Sequence, residues 1–399
     1  MKLLKKILRK TIRCTRNCLE NLLISRSKKN EIKKFKDKRR VSIYSKINLS
    51  KEQKKQIDDF YITNYGKKIP YTWHRHYTAF TGNFDPMYFP ELLYIPVFER
   101  FMNFNTGFRQ AMGDKNFLSI IAKGISVKMP QIIISCASGL LRDYDYNVIG
   151  VNEAIQLINN KGVLFVKPTV GTSSGRGCIL VDIKDNYDIY SNKRADVIIK
   201  EMGDDFVVQE RLICHESIRN IYSESVNTFR IITYRWKNGI FHMPIIMRIG
   251  QGGSHLDNAH AGGMFIALDD DGTMHKTAFT EFKKEFTQHP DTGFTFDGNK
   301  IILLPDVLKA AKKMHEAVPE LGVINWDFTI DKEGTPVLIE ANVHAGGIWP
   351  AEMSHGHSCF GENTADVLRW IRQQEKLSYY ERNKYAFGKM KGESNDSIK

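Results

Sequence analysis

The chain has 399 residues, 42% hydrophobic and 26% charged, a composition that fits two or three packed units of roughly 150 residues and excludes a disordered chain or a polytopic membrane protein. No apolar run approaches the ~18 residues of a membrane span. The net charge is +13, yet residues 1–55 carry 20 Lys or Arg against Glu20, Glu31, Asp37 and Glu52, a local +16 that leaves −3 for the rest. The basicity therefore belongs to an appendage, and a nucleic-acid-binding body is not expected.

Residues 1–55 form the first expected unit, a basic arm. Leu3, Leu4, Ile7, Leu8, Ile12, Leu19, Leu22 and Leu23 recur near helical spacing among lysines and arginines, which predicts an amphipathic helix. An anionic membrane surface, a nucleic acid or a partner protein could receive it, or it could cover the body's own surface. Lipid fits better than nucleic acid, because a phosphate backbone offers nothing to an apolar stripe. Arg9, Lys10, Arg13 and Arg16 break what would be the uncharged core of an export signal. Cys14, Cys18, Cys136, Cys178, Cys214 and Cys359 form no CxxC pair and read as reduced thiols. The expected location is cytoplasmic, peripheral on the inner membrane face through residues 1–40.

Residues 56–112 read as a region packed on the main domain. Tyr71 to Met102 is rich in aromatics and prolines and predicts an irregular segment, in which His74 and His76 alternate as strand neighbours. Gln131 to Ser135 and Ile301 to Leu304 read as short strands.

From residue 113 the residues carry chemistry. Gly113-Asp114-Lys115 precedes a short amphipathic helix. Val163 to Pro168 reads as a strand ending in Lys167, then a loop from Thr169 to Gly177, then a strand from Cys178. Gly171, Gly175 and Gly177 permit close backbone approach to a ligand, and Thr172, Ser173 and Ser174 can hydrogen-bond phosphate oxygens; Lys167 and Arg176 add charge. Because the loop returns to a strand, it is no Walker loop, and a plain hairpin connection is the simpler alternative. Phe206 to Leu212 reads as a strand. Thr228 to Trp236, Lys237-Asn238-Gly239 and Ile240 to Arg248 read as a hairpin with Arg230 on the face of Ile232, Tyr234 and Trp236, where it needs an anionic partner.

A second hairpin joins Val323–Ile330 to Pro336–Asn342. Its alternation gathers Asn325, Asp327, Glu340 and Asn342 on one face and Ile324, Trp326, Phe328, Val337, Ile339 and Ala341 on the other. Pairing Asp331 with Gly334 sets Asn325 opposite Glu340 and Asp327 diagonal to it. Two carboxylates and an amide oxygen are hard ligands suited to Mg²⁺. His355, His357 and Cys359 lie too close in sequence to make a zinc site unaided, and read as loop residues.

This order of parts, from about Gly113 to Pro350, resembles the ATP-grasp superfamily, and within it the sugar-transfer-associated ATP-grasp proteins and the α-L-glutamate ligases. The resemblance implies an α+β fold in which two lobes clamp ATP, with a helical or irregular N-terminal region. It implies an ATP-grasp domain over 113–375, with a nucleotide lobe at about 113–215 and a metal and substrate lobe at about 216–375, and a tail over 376–399. Lys115, Lys167, Thr172, Ser173, Ser174, Gly175 and Arg176 then match phosphate-contacting elements. Gln209, Glu210 and Leu212 match the adenine hinge, and His215 a ribose contact. Asp327, Glu340 and Asn342 match ligands for Mg²⁺, as two ions with Mn²⁺ as an alternative. Arg230, Arg248, Asn258 and His260 match catalytic and acceptor-side positions, with Asp257 a further base candidate and His344 and Trp349 following the metal strand. Thr228 stands where the ligases' DxR motif has its acid. The implied activity is ATP-dependent ligation of a carboxylate to an amine on an amino acid or sugar acid, in glycan or polysaccharide biosynthesis. A kinase-type phosphotransferase and a non-catalytic nucleotide-binding module at the membrane surface are the alternatives.

Overall fold

The computed structural model describes residues 2–104, 106–169 and 177–383, with side chains from residue 10 onward. Among these the chain divides into two compact units: Met1–Thr106 with Glu320–Val323 and His344–Lys399, and Gly107–Pro319 with Ile324–Val343. The segment after Val343 belongs to the same unit as the N-terminal helices.

The first unit is helical. The helix Lys2–Lys34 carries exposed Ile12, Leu19, Leu22 and Leu23. Among the described residues no helix is long and apolar enough to cross a membrane. Ser50 and Gln53 close a reciprocal capping box on the helix Lys51–Asn64, which settles two of its otherwise unpaired N–H groups. The aromatic stretch expected to be irregular contains the helix Thr72–Thr81, followed by helical turns at Glu91–Leu93, Tyr94–Glu99 and Arg100–Met102. His74 and His76 are therefore buried helical residues and not strand neighbours. The spacing of Trp73, Tyr77 and Phe80 supplies one apolar helical face, and Gly82, at φ +80°, ends the helix.

The second unit is built on two antiparallel sheets, a mixed α+β architecture. One sheet contains β1 (Ile132–Ala137), β2 (Leu140–Asp143), β3 (Val163–Pro168), β4 (Ile179–Lys184), β5 (Tyr187–Asp188) and β6 (Phe206–Glu210), in the order β2-β1-β6-β3-β4-β5. Leu164, Val166, Phe206 and Val208 turn one face into a core with Ala154, Ile158, Ile198 and Ile199 from two helices. Period-two alternation sends Phe165, Lys167, Val207 and Gln209 to the other face.

The other sheet contains β7 (Thr228–Trp236), β8 (Gly239–His242), β9 (Ile245–Ile249), β10 (Met264–Leu268), β11 (Ala278–Phe279), β12 (Glu285–Phe286), β13 (Val323–Ile330) and β14 (Pro336–Asn342). Its order is β12-β11-β10-β9-β7-β13-β14, with β8 also on β7. The hairpin expected from Thr228 to Arg248 forms, but its return strand is broken into β8 and β9 around Pro244, since proline lacks the N–H that a ladder needs. Ile301 to Leu304 is not a strand: Leu304 opens the helix Leu304–Glu316.

The β13–β14 register differs from expectation. Asp327 pairs directly with Glu340, and Asn325 with Asn342. Two local features cause the shift. The loop runs over Asp331–Thr335, closed by Thr335 O accepting from Asp331 N (3.0 Å) and by the Asp331 carboxylate accepting from the amides of Glu333 and Thr335. The loop moves the register by one residue, so Phe328 pairs with Leu338 and Val337 leaves the Trp326 face; a bulge at Ile339 adds a second residue of offset and sets Asp327 opposite Glu340.

Candidate active site

Within the second unit, the face of β3 that avoids the helical core carries Lys167, which is 5% exposed. Asp114 caps the helix Lys115–Gly124 by accepting from the amides of Asn116 and Phe117, and so sets Lys115 at its first position. Lys115 Nζ reaches Thr169 O at 3.5 Å, bringing a second ammonium to the end of β3. Burial, and then the charge of Lys115, push the Lys167 ammonium down to about 8, with Glu340 opposing them. Lys167 has no ion-pair partner among the described residues, and the buried Thr169 hydroxyl has no hydrogen-bond partner there. A buried ammonium in that state calls for an anion.

The opposing groups come from β7, β9, β13 and β14. Arg230 donates to Asp327 through Nε (2.5 Å) and Nη2 (3.1 Å), and Arg248 Nη2 lies 3.0 Å from the same carboxylate. Burial raises the pKa of Asp327, but the two guanidiniums outweigh it and hold the group at about 2. Glu340 behaves oppositely: burial and then the Asp327 charge push its carboxyl up, against Arg248 and Lys115. Asn342 Nδ2 stands 3.2 Å from both Asp327 and Glu340. Turning that amide over presents its oxygen instead, so the three side chains form an oxygen donor set suited to a hard divalent cation. Buried Asn325, the register partner of Asn342, keeps an unpartnered amide nitrogen beside them. Among the described residues no three His, Cys, Asp or Glu side chains group as a metal site; the set here is two carboxylates and an amide.

The pairing of Asp257 with Thr228 escaped the sequence reading. The Asp257 carboxylate accepts from both the amide (3.1 Å) and the hydroxyl of Thr228, and lies 3.5 Å from Arg248 Nε. Arg248 donates to the Thr228 hydroxyl through Nε and Nη2, at 3.0 and 2.7 Å. An acid from the loop before β10 thus reaches the position where β7 has threonine. Burial raises the pKa of Asp257, with Arg248 pulling it back. The only available signal was the substitution at Thr228 itself.

The other expected residues are more dispersed in role. Thr172, Ser173, Ser174, Gly175 and Arg176 lie outside the described residues. Gln209 is buried on the Lys167 face, with Nε2 3.5 Å from Pro130 O; Glu210 is exposed and Leu212 half-buried. His215 uses Nδ1 to cap the short helix Glu216–Arg219, accepting from Ser217 N. Asn258 caps the turn Ala259–Ala261, and His260 Nδ1 meets the buried Glu281 carboxylate at 2.7 Å. In the first unit, His344 is exposed, with Nδ1 3.5 Å from Glu99.

No curated protein matches the chain. Among solved structures, N5-carboxyaminoimidazole synthetase from Staphylococcus aureus, complexed with ADP, is 13% identical with a TM-score of 0.37, covering 60% of this chain and 46% of its own. L-amino acid ligase from Bacillus licheniformis is 15% identical at TM-score 0.36, covering 66% and 48%. D-alanine–D-alanine ligase from Bacillus anthracis is 17% identical at TM-score 0.36, covering 66% and 70%. The chain spans about half the length of the first two. The match to the sugar-transfer associated ATP-grasp family extends over residues 97–366, and the chain belongs to that family.

Proposed function

We propose that the chain is an ATP-dependent carboxylate–amine ligase working through an acyl phosphate. The observation that carries the reading is the pair Lys115 and Lys167, the latter buried with no ion-pair partner among the described residues, in the same unit as Glu340, Asp327, Arg230 and Arg248, with Glu340 acting on its charge. Lys115, Lys167 and the Thr169 hydroxyl hold the triphosphate. Gln209, Glu210 and Leu212 border the adenine, with His215 beside the ribose. Asp327, Glu340 and Asn342 would hold Mg²⁺, as two ions with Mn²⁺ as a substitute, which when bound draws negative charge from the phosphate oxygens.

A substrate carboxylate oxygen attacks the γ-phosphorus and ADP leaves. The amine nitrogen of the second substrate then attacks the acyl carbon, phosphate leaves, and the amine gives up a proton. Arg230 and Arg248 stabilise the charge that develops on the phosphoryl oxygens, while Asp257 fixes the orientation of Arg248. Asn258 and His260 border the acceptor side. The substrates we assign are an amino acid or sugar acid and an amine of a glycan precursor, in the cytoplasm.

Purified protein supplied with ATP, Mg²⁺ and panels of amino acids and uronic acids is expected to release ADP and form an amide, and Lys167→Ala and Glu340→Ala to abolish both. ADP release that survives both substitutions refutes the site. A stable phosphorylated product without amide establishes a kinase-type phosphotransferase instead, and nucleotide binding without turnover a non-catalytic module. The exposed Ile12, Leu19, Leu22 and Leu23 on a lysine- and arginine-rich helix support attachment to an anionic membrane surface. Full-length protein should float with phosphatidylserine-containing liposomes and a form lacking residues 1–40 should not; equal recovery ends this part of the reading.

A further inference from the structure

The helix Lys2–Lys34 is held on the first unit by polar contacts along one side. Glu20, 8% exposed, accepts from Arg100 through both Nε and Nη2, each at 2.7 Å. Asn17 Oδ1 accepts from the Tyr379 amide at 2.6 Å, and Lys28 Nζ reaches Glu375 Oε1 at 2.9 Å. Glu31, 3% exposed, pairs with Lys34 at 2.8 Å. Just past the helix, buried Phe35 packs on Trp73 with ring centroids 4.6 Å apart.

These contacts sort the helix by charge. Glu20 and Glu31 are its only acidic residues, and both are buried and ion-paired. From residue 10 onward, where side chains are described, the helix therefore offers no exposed carboxylate. What it shows instead is Ile12, Leu19, Leu22 and Leu23, 41–67% exposed and spaced at the intervals of one helical face. Exposed Lys10, Arg26, Lys29 and Lys33 lie among them. An amphipathic helix that only covers its own protein turns its leucines inward. Here the acids are inside and these leucines outside.

We propose that this acid-free face binds an anionic lipid bilayer while the helix stays docked on the first unit, as a permanent surface and not a released arm. Its role rests on the membrane attachment proposed above and fixes which side chains make it. The leucines and Ile12 enter the boundary between headgroups and acyl chains, and the lysines and Arg26 meet lipid phosphates. No inner contact has to break, because the four apolar side chains are already exposed. A second copy of this face would bring like charge against it, and a nucleic acid would leave the apolar row in water.

The full chain is tested by flotation with liposomes of phosphatidylcholine alone and of phosphatidylcholine mixed with phosphatidylserine. Binding to the mixed liposomes is expected, weakening with added salt, and little binding to phosphatidylcholine. Leu19→Glu and Leu22→Glu are exposed changes that should leave the circular dichroism spectrum unaltered and cut binding roughly tenfold each. Arg100→Gln loosens the hold on Glu20 without changing the helix. Its recovery should match the native chain, whereas a helix that had to detach first would bind more tightly in this variant. Equal recovery of the forms with and without residues 1–40 removes membrane attachment altogether. Flotation that needs residues 1–40 yet survives both glutamate substitutions, is as strong on phosphatidylcholine alone, or rises in Arg100→Gln overturns the docked face and leaves attachment standing.

Discussion

Nucleotide binding should weaken above pH 8 because one lysine loses its charge. Lys167 ordinarily titrates at 10.5, but burial and Lys115 bring it to about 8. If phosphate engages only the ammonium form, about nine-tenths of Lys167 is competent at pH 7 and about one-tenth at pH 9, a tenfold loss of affinity or about 1.4 kcal/mol. The effect on stability has the opposite sign. A lysine whose folded pKa lies below its unfolded value destabilises the fold while it is charged, here by about 3 kcal/mol below pH 8, and that penalty fades as pH rises from 8 to 10.5. The ligand-free protein should therefore gain stability from this group over the range in which it loses affinity for nucleotide. Calorimetric titration of ADP with Mg²⁺ at pH 7, 8 and 9 reads the first effect. Lys167→Arg supplies the control, since a guanidinium stays charged throughout. Cys178 nearby has its thiol pushed up by burial and stays protonated across most of the range. An affinity that is flat in the native protein, or one that falls equally in Lys167→Arg, refutes the reasoning.

Two further outcomes follow from the buried network. Asp327→Asn removes the shared partner of Arg230 and Arg248, whose side chains are 16% and 11% exposed, and should cost about 3–5 kcal/mol in urea denaturation, the usual penalty for stranding a buried charge. Because the folded Asp327 carboxyl sits at about 2 instead of 3.8, its stabilisation is complete above pH 4 and is lost as pH falls toward 2, and the acid unfolding of Asp327→Asn should lack that component. On the opposite face of the sheet, the Thr233 hydroxyl accepts from Trp326 Nε1 at 2.7 Å and meets His315 Nδ1 at 2.7 Å. Thr233→Val should lose about 2–4 kcal/mol by the same urea measurement, with Thr233→Ser losing much less.

The site was most legible where alternation and chemistry coincide. Asn325 and Asp327 share a face by strand periodicity, as do Glu340 and Asn342 on the facing strand, and the bulge at Ile339 brings the two pairs onto the same face. Which of them stand opposite each other was not legible, because a bulge at Ile339 and a five-residue loop change the register without altering the hydrophobic pattern. His74 and His76 misled for a related reason: two residues apart, they suit a strand, whereas the controlling signal is the helical spacing of Trp73, Tyr77 and Phe80. The pairing of Asp257 with Thr228 joins positions 29 residues apart through a side chain, and no local pattern encodes that.

The central claim is that one nucleotide bridges the lysines of β3 and its neighbouring helix to the carboxylates of β13 and β14. Paramagnetic broadening of the ³¹P resonances of ADP by substoichiometric Mn²⁺ tests it directly. Protein-bound ADP should show strong broadening of its β-phosphate, abolished in Glu340→Gln even at ADP concentrations that saturate the variant. Broadening that persists unchanged in Glu340→Gln, or saturable ADP binding untouched by Lys167→Ala, contradicts the account.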